Sequence, residues 1–166
     1  MNNITITGGN GSTIAGGDGS IVTGKDDSVV MGGNNSTVTG EDCSVIMGGH
    51  GSTITGGDYS LLAGGKGSKV TGGDYGAISG GDDSTVTGGE ESIVTGGYHS
   101  VVTGGYGSIV TAGDYSTVTG DEDSVLVVRY WDEKENRRRV VVGYVGEDGI
   151  EPNVPYHVVD GKLVKV

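Results

Sequence analysis

From Ile14 to Leu126 every eighth residue is Val, Ile or Leu. Counted from Thr7, the chain divides into fifteen octads without an insertion, from TGGNGSTI to TGDEDSVL. Position two is Gly in fourteen octads, with Ala112 the exception, and position six is Ser in fourteen, with Gly76 the exception. A disordered linker has no reason to keep an aliphatic residue in step over such a length. An ordinary globular core is equally hard to build here, because 36 of 166 residues are Gly, none is Phe and one is Trp. Large apolar side chains are what normally offset chain entropy. Glycine shows no three-residue period, which excludes collagen. No apolar run approaches the ~18 residues of a membrane-spanning helix. Cys43 is the single cysteine, so no internal disulfide is expected. Met1-Asn2-Asn3 leads directly into the repeat with neither a basic nor an apolar leader. A cytoplasmic location is therefore expected, with an extracellular surface as the alternative if the chain is a fragment.

Positions six to eight and the next position one read as a short strand, for example Ser36-Thr37-Val38-Thr39. Side chains alternate across a strand, so Ser and the aliphatic residue share one face and positions seven and one share the other. The Gly-Gly-x-x that follows is turn material. Gly at position two falls on the Ser/aliphatic side, where a thin interior leaves no room for a side chain. One octad buries nothing alone, whereas stacked octads bury a continuous seam.

The true repeat is sixteen residues. The residue that follows an octad, position one of the next, is Thr after seven of seven even octads, from Thr23 to Thr119, but after only two of eight odd octads. Position seven divides similarly. The sequence therefore predicts an all-β, two-sheet parallel β-solenoid of 16-residue coils over 1–126. It predicts a small antiparallel β cap over 127–166. About seven and a half coils at ~4.8 Å give a rod of roughly 36 Å.

Three surfaces are candidates for binding. The first is a Thr face with a Thr-x-Thr rhythm, comprising Thr37, Thr39, Thr53, Thr55, Thr71, Thr85, Thr87, Thr103, Thr117 and Thr119, interrupted by Ile21 and Lys69. The second is an apolar face of Val29, Met31, Val45, Met47, Leu61, Ala63, Ile93 and Ile109, expected to pair with a second copy. The third is a turn edge carrying eleven carboxylates against four on the other edge, including Asp26, Asp27, Glu41, Asp42, Asp58, Asp74, Glu90 and Glu91. The repeat holds 15 acidic and 3 basic residues, while 127–166 holds seven of each, so the whole net charge of −12 lies on the solenoid.

After Leu126 the period stops. Val127 to Trp131 and Arg139 to Val145 read as strands, and Tyr156 to Val166 as a hairpin around Asp160-Gly161. An antiparallel meander folded over the last coil is expected, because an open sheet end invites polymerisation. The N-terminal end shows no comparable cap, and Asn2 and Asn3 are candidates for protecting it.

The octads resemble those of bacterial ice-nucleation proteins, most closely from Gly105-Tyr106-Gly107-Ser108 through Thr111-Ala112-Gly113-Asp114-Tyr115-Ser116-Thr117-Val118-Thr119. The resemblance covers about residues 7–126 and implies a β-solenoid with an ice-organising Thr-x-Thr face. The array is much shorter than a nucleator's, and Tyr98 and Tyr106 fall on opposite edges rather than in one column. Weak nucleating power is the corresponding expectation. The tail, notably Val145-Gly146-Glu147-Asp148-Gly149-Ile150-Glu151-Pro152, is similar to the closing module of repeat proteins of unknown function in bacteria and phages.

These readings lead to a non-enzymatic surface-binding module that orders water or ice. The alternatives are an acidic protein-interaction or phage-type anti-defence protein mimicking nucleic acid, and a structural spacer. His50, His99 and His157 are scattered, and the Gly-Gly turns lack the Lys and helix of a phosphate loop, so no catalytic residue is expected. No cofactor and no metal are expected either: the calcium-binding Gly-rich roll has a nine-residue period, not eight. Strong acidity opposes direct nucleic-acid binding, and no membrane partner is expected.

Overall fold

A computed structural model describes residues 4–166. Asn2 and Asn3 lie outside the described residues. The strands run in chain order as β1 (Thr5–Thr7), β2 (Thr13–Ala15), β3 (Ile21–Thr23), β4 (Val29–Met31), β5 (Thr37–Thr39), β6 (Val45–Gly48), β7 (Thr53–Thr55), β8 (Leu61–Gly64), β9 (Lys69–Thr71) and β10 (Ala77–Ser79). They continue as β11 (Thr85–Thr87), β12 (Ile93–Thr95), β13 (Val101–Thr103), β14 (Ile109–Ala112), β15 (Thr117–Thr119), β16 (Val125–Asp132), β17 (Arg137–Tyr144), β18 (Tyr156–Val159) and β19 (Lys162–Lys165). Odd strands β1 to β15 stack in parallel as one sheet, and even strands β2 to β16 as the other. The register is sixteen residues throughout, as in Val38↔Ile54 and Ile46↔Leu62. The protein is a two-sheet parallel β-solenoid of about eight turns, closed at the C-terminus by antiparallel strands.

The middle residue of each repeat strand points inward. Val22, Val38, Ile54, Val70 and Val86 from one sheet meet Val30, Ile46, Leu62 and Val94 from the other, all with no exposed surface. Burying each such side chain contributes ~1.5–3 kcal/mol. The interior is one aliphatic residue deep per sheet, which leaves no space for Phe. Position-two glycine fits for the same reason: a Cβ on Gly104 would lie 2.7 Å from Val110 Cγ2 and 2.8 Å from Ser108 Cβ.

The inward serines form a ladder that satisfies buried backbone. Ser84 N donates to Ser100 Oγ at 3.2 Å, and Ser100 Oγ donates to Gly81 O at 3.2 Å. The pattern recurs at Ser92 and Ser108. Gly76, which replaces one Ser, still donates its N–H to Ser92 Oγ at 3.2 Å.

Each turn closes on a left-handed residue at position five. Five of the fifteen are Gly, such as Gly51 with φ 66°; ten are not, among them Asp27, Cys43, Tyr59 and Glu91. Turns also bond coil to coil, as in Cys43 N→Asp58 O at 2.9 Å. The rod is therefore hydrogen-bonded around its whole circumference, including its edges.

The tail differs from the expected meander laid across the end. It splits into two hairpins that prolong the two sheets. β17 pairs antiparallel with β16 from Val125↔Tyr144 to Asp132↔Arg137, extending the apolar sheet. β18 joins β15 at Val118↔Tyr156 and pairs with β19, extending the Thr sheet. The reason lies in β16 itself, which runs from the last octad into the tail without a break, so the sheet continues past the end of the repeat. The loop between the hairpins covers the open core. Ile150, Val154 and Leu163 pack on it, Tyr156 is buried, and Tyr156 Oη accepts Glu151 N at 2.8 Å.

Candidate functional site

The Thr sheet carries two outward columns. Position one is Thr in every coil, with Thr7, Thr23, Thr39, Thr55, Thr71, Thr87, Thr103 and Thr119 aligned in register. Position seven reads Thr5, Ile21, Thr37, Thr53, Lys69, Thr85, Val101 and Thr117 along the same strands. All ten Thr residues expected on this face are brought together, and their β-branched side chains stand outward on exposed or half-buried positions. Counting octads from Thr7 missed one strand: β1 pairs with β3 and adds Thr5 and Thr7 to the grid. The Ile4-Thr5-Ile6-Thr7 alternation was the available signal. Among the described residues no Thr hydroxyl of these columns bonds another protein group, whereas Ser79 on the other sheet donates to Leu62 O at 3.2 Å.

On the apolar sheet the predicted residues likewise share one face. Met47, Leu61, Ile93 and Ile109 are exposed, while Val29, Met31, Val45 and Ala63 are half-buried by their neighbours. From β2 to β14 no outward residue is charged. The cap lengthens this face in a way the repeat did not announce. Val127 stands opposite Val142 and Val125 opposite Tyr144, with Val142 and Tyr144 about half exposed.

The acidic edge is partly a structural device. Asp42 Oδ1 accepts Asp58 N at 2.9 Å, Asp58 Oδ1 accepts Asp74 N at 2.9 Å, and Asp74 Oδ1 accepts Glu90 N at 2.8 Å. The opposite edge repeats this ladder with Asp18, Asn34 and Asp82. Position three is Gly where the ladder runs, because a Cβ on Gly49 would lie 2.5 Å from Asn34 Oδ1 and 2.8 Å from its backbone N. Glu41 occupies position three above Asp26 and pairs instead with Lys25. Glu90, Glu91, Asp27 and Asp123 are left facing solvent, with Tyr106 Oη donating to Asp123 at 2.6 Å. That bond holds the Tyr106 phenol above its ordinary pKa. On this edge Tyr59 and Tyr75 stack at 5.0 Å, while Tyr98 and Tyr115 sit on the other edge, so no single Tyr column forms. The opposite edge gathers Lys66, Asp83 and His99, with Lys66 3.0 Å and His99 3.2 Å from the Asp83 carboxylate. The Lys66 ammonium lowers the Asp83 pKa, and Asp83 raises that of Lys66.

Where the two hairpins diverge, a cavity of about 400 Å³ is lined by Tyr115, Tyr130, Trp131, Arg139 and Lys162 among others. Two of its charged groups are paired: Arg139 Nε lies 3.1 Å from Asp132, and buried Asp114 lies 3.1 Å from Arg129. His50 and His99 stand on one edge three coils apart and His157 lies on β18, so the structure brings no catalytic group of histidines together. Among the described residues no three His, Cys, Asp or Glu side chains converge to hold a metal ion. No protein-family model, curated protein or solved structure matches the chain.

Proposed function

We propose that the protein is a non-enzymatic surface-binding module whose Thr face orders water or binds ice. The unbroken in-register column of eight Thr, Thr7 to Thr119, carries this reading. Parallel stacking spaces these hydroxyl–methyl pairs at ~4.8 Å, and the second column stands ~6.6 Å away along each strand. A lattice ligand can meet many such sites at once, so weak contacts add without further ordering cost. Rigidity matters here, and the Ser ladder and turn bonds supply it. The resemblance of the octads to ice-nucleation repeats points the same way. Ile21, Lys69 and Val101 interrupt only the position-seven column, so the activity expected is modest.

Thermal hysteresis and ice-recrystallisation measurements test the proposal. Wild type should inhibit recrystallisation, and Thr53→Tyr, which raises a ring above the flat grid, should remove most of that effect without lowering Tm. Inactive wild type, or a Thr53→Tyr variant as active as wild type, sinks the reading.

A further inference from the structure

We infer that the apolar sheet is a homodimer face and that two copies pack on it with their rods parallel, N-terminus beside N-terminus. This is independent of any role for the Thr face, which such a dimer leaves outward on both copies.

Three observations carry it. First, size: nine strands at ~4.8 Å make a face about 43 Å long, and strand width gives roughly 500 Å² a side before side-chain relief is counted. Two copies then bury ~1,000 Å² or more, which reaches the lower bound for a specific interface. Second, continuity: Val125 and Val127 of β16 and Val142 and Tyr144 of β17 prolong the uncharged strip beyond the repeat, with Arg129 and Arg138 of the same face at its margin. A chain with a net charge of −12 keeps this one long surface free of charge from β2 to β14.

Third, charge decides the orientation. Face-to-face packing with two-fold symmetry permits two arrangements. With rods antiparallel, each edge meets its own copy, so eleven carboxylates oppose eleven. With rods parallel, the acidic edge of one copy meets the partner's other edge, which has four carboxylates and Lys66. The parallel arrangement also keeps every coil level with the same coil of the partner. Arg129 and Arg138 lie beside Asp114, at the end of the less acidic edge. Parallel packing sets them level with Asp121, Glu122 and Asp123 of the other copy. Like-charge juxtaposition is a strong selector against wrong packings.

Sedimentation and spin-label distances test this on the full chain. Wild type should sediment as a dimer at micromolar concentration, and Val45→Glu as a monomer with an unchanged circular dichroism spectrum. Labels at Asn10→Cys and, separately, at Glu122→Cys, both in a Cys43→Ser background, report the orientation. These positions are seven coils apart, about 34 Å. Parallel packing predicts a short same-site distance, near 20 Å or the width of the rod, for both labels. A long distance for both overturns the orientation. A monomeric wild type, or a dimer that survives Val45→Glu, overturns the interface.

Discussion

Val38 of the Thr sheet and Ile46 of the apolar sheet have the same environment, with no surface exposed and a Ser two residues before each. Their neighbours share nothing: Thr37 and Thr39 flank one, Val45 and Met47 the other. The inward half of the octad repeats every eight residues and specifies the coil. The outward half repeats every sixteen and specifies what each face presents. Folding and surface chemistry are therefore written on alternate residues of the same strands.

If that separation holds, inward substitutions should be equally damaging on either sheet. Ile54→Ala and Ile46→Ala should each cost about 2–5 kcal/mol of unfolding free energy in denaturant titration. A large difference between them would break the equivalence. Next in size, Ser84→Ala removes the acceptor for Ser68 N and the donor to Gly65 O. It should cost about 1–3 kcal/mol by the same measurement. Asp58→Ala should cost about 1 kcal/mol, because the Asp74 N–H loses its partner. Asp27→Gly, at a left-handed position outside the ladder, should be neutral or slightly stabilising. Outward changes should leave stability nearly untouched. Lys69→Thr completes the Thr-x-Thr of β9 and should raise ice-recrystallisation inhibition severalfold, with Tm unchanged. Smallest of all is the Asp83 pair. Its carboxyl is held below the ordinary range by Lys66, so any stabilisation is present above the usual carboxylate pKa and fades as pH falls through the lowered value. With the pair exposed, Asp83→Asn should give a barely measurable change in Tm at neutral pH and none in strong acid.

The coil, its two sheets and its inward seam were legible because the packing is local and periodic. Position eight of any octad meets position eight of the facing strand and of the neighbouring coils, so spacing alone locates it. Both outward faces followed from the parity of position one. The Asp/Asn ladder was not legible, since it depends on which oxygen of Asp58 meets a backbone N–H sixteen residues on. Read as sequence, those acids are only charge. The left-handed fifth position was half visible: Gly, Asp and Asn occur there often, but Tyr59, Cys43 and Glu91 conceal it. The tail misled for a related reason. Its strands were placed correctly in kind, yet without a repeat nothing indicated that β16 would continue a sheet and β18 would join the other.

The sixteen-residue register has a consequence for how such a chain can change over generations. An in-frame loss or duplication of one full coil removes or adds a layer and returns every downstream residue to its own sheet. Loss of a single octad is different. It also preserves the buried seam, so the product still folds, but every later Thr strand now lands on the apolar side and every apolar strand on the Thr side. Loss or gain of repeat units can therefore yield rods of altered length in one step and rods with a mid-length exchange of surfaces in another. Only selection on the surfaces distinguishes the two.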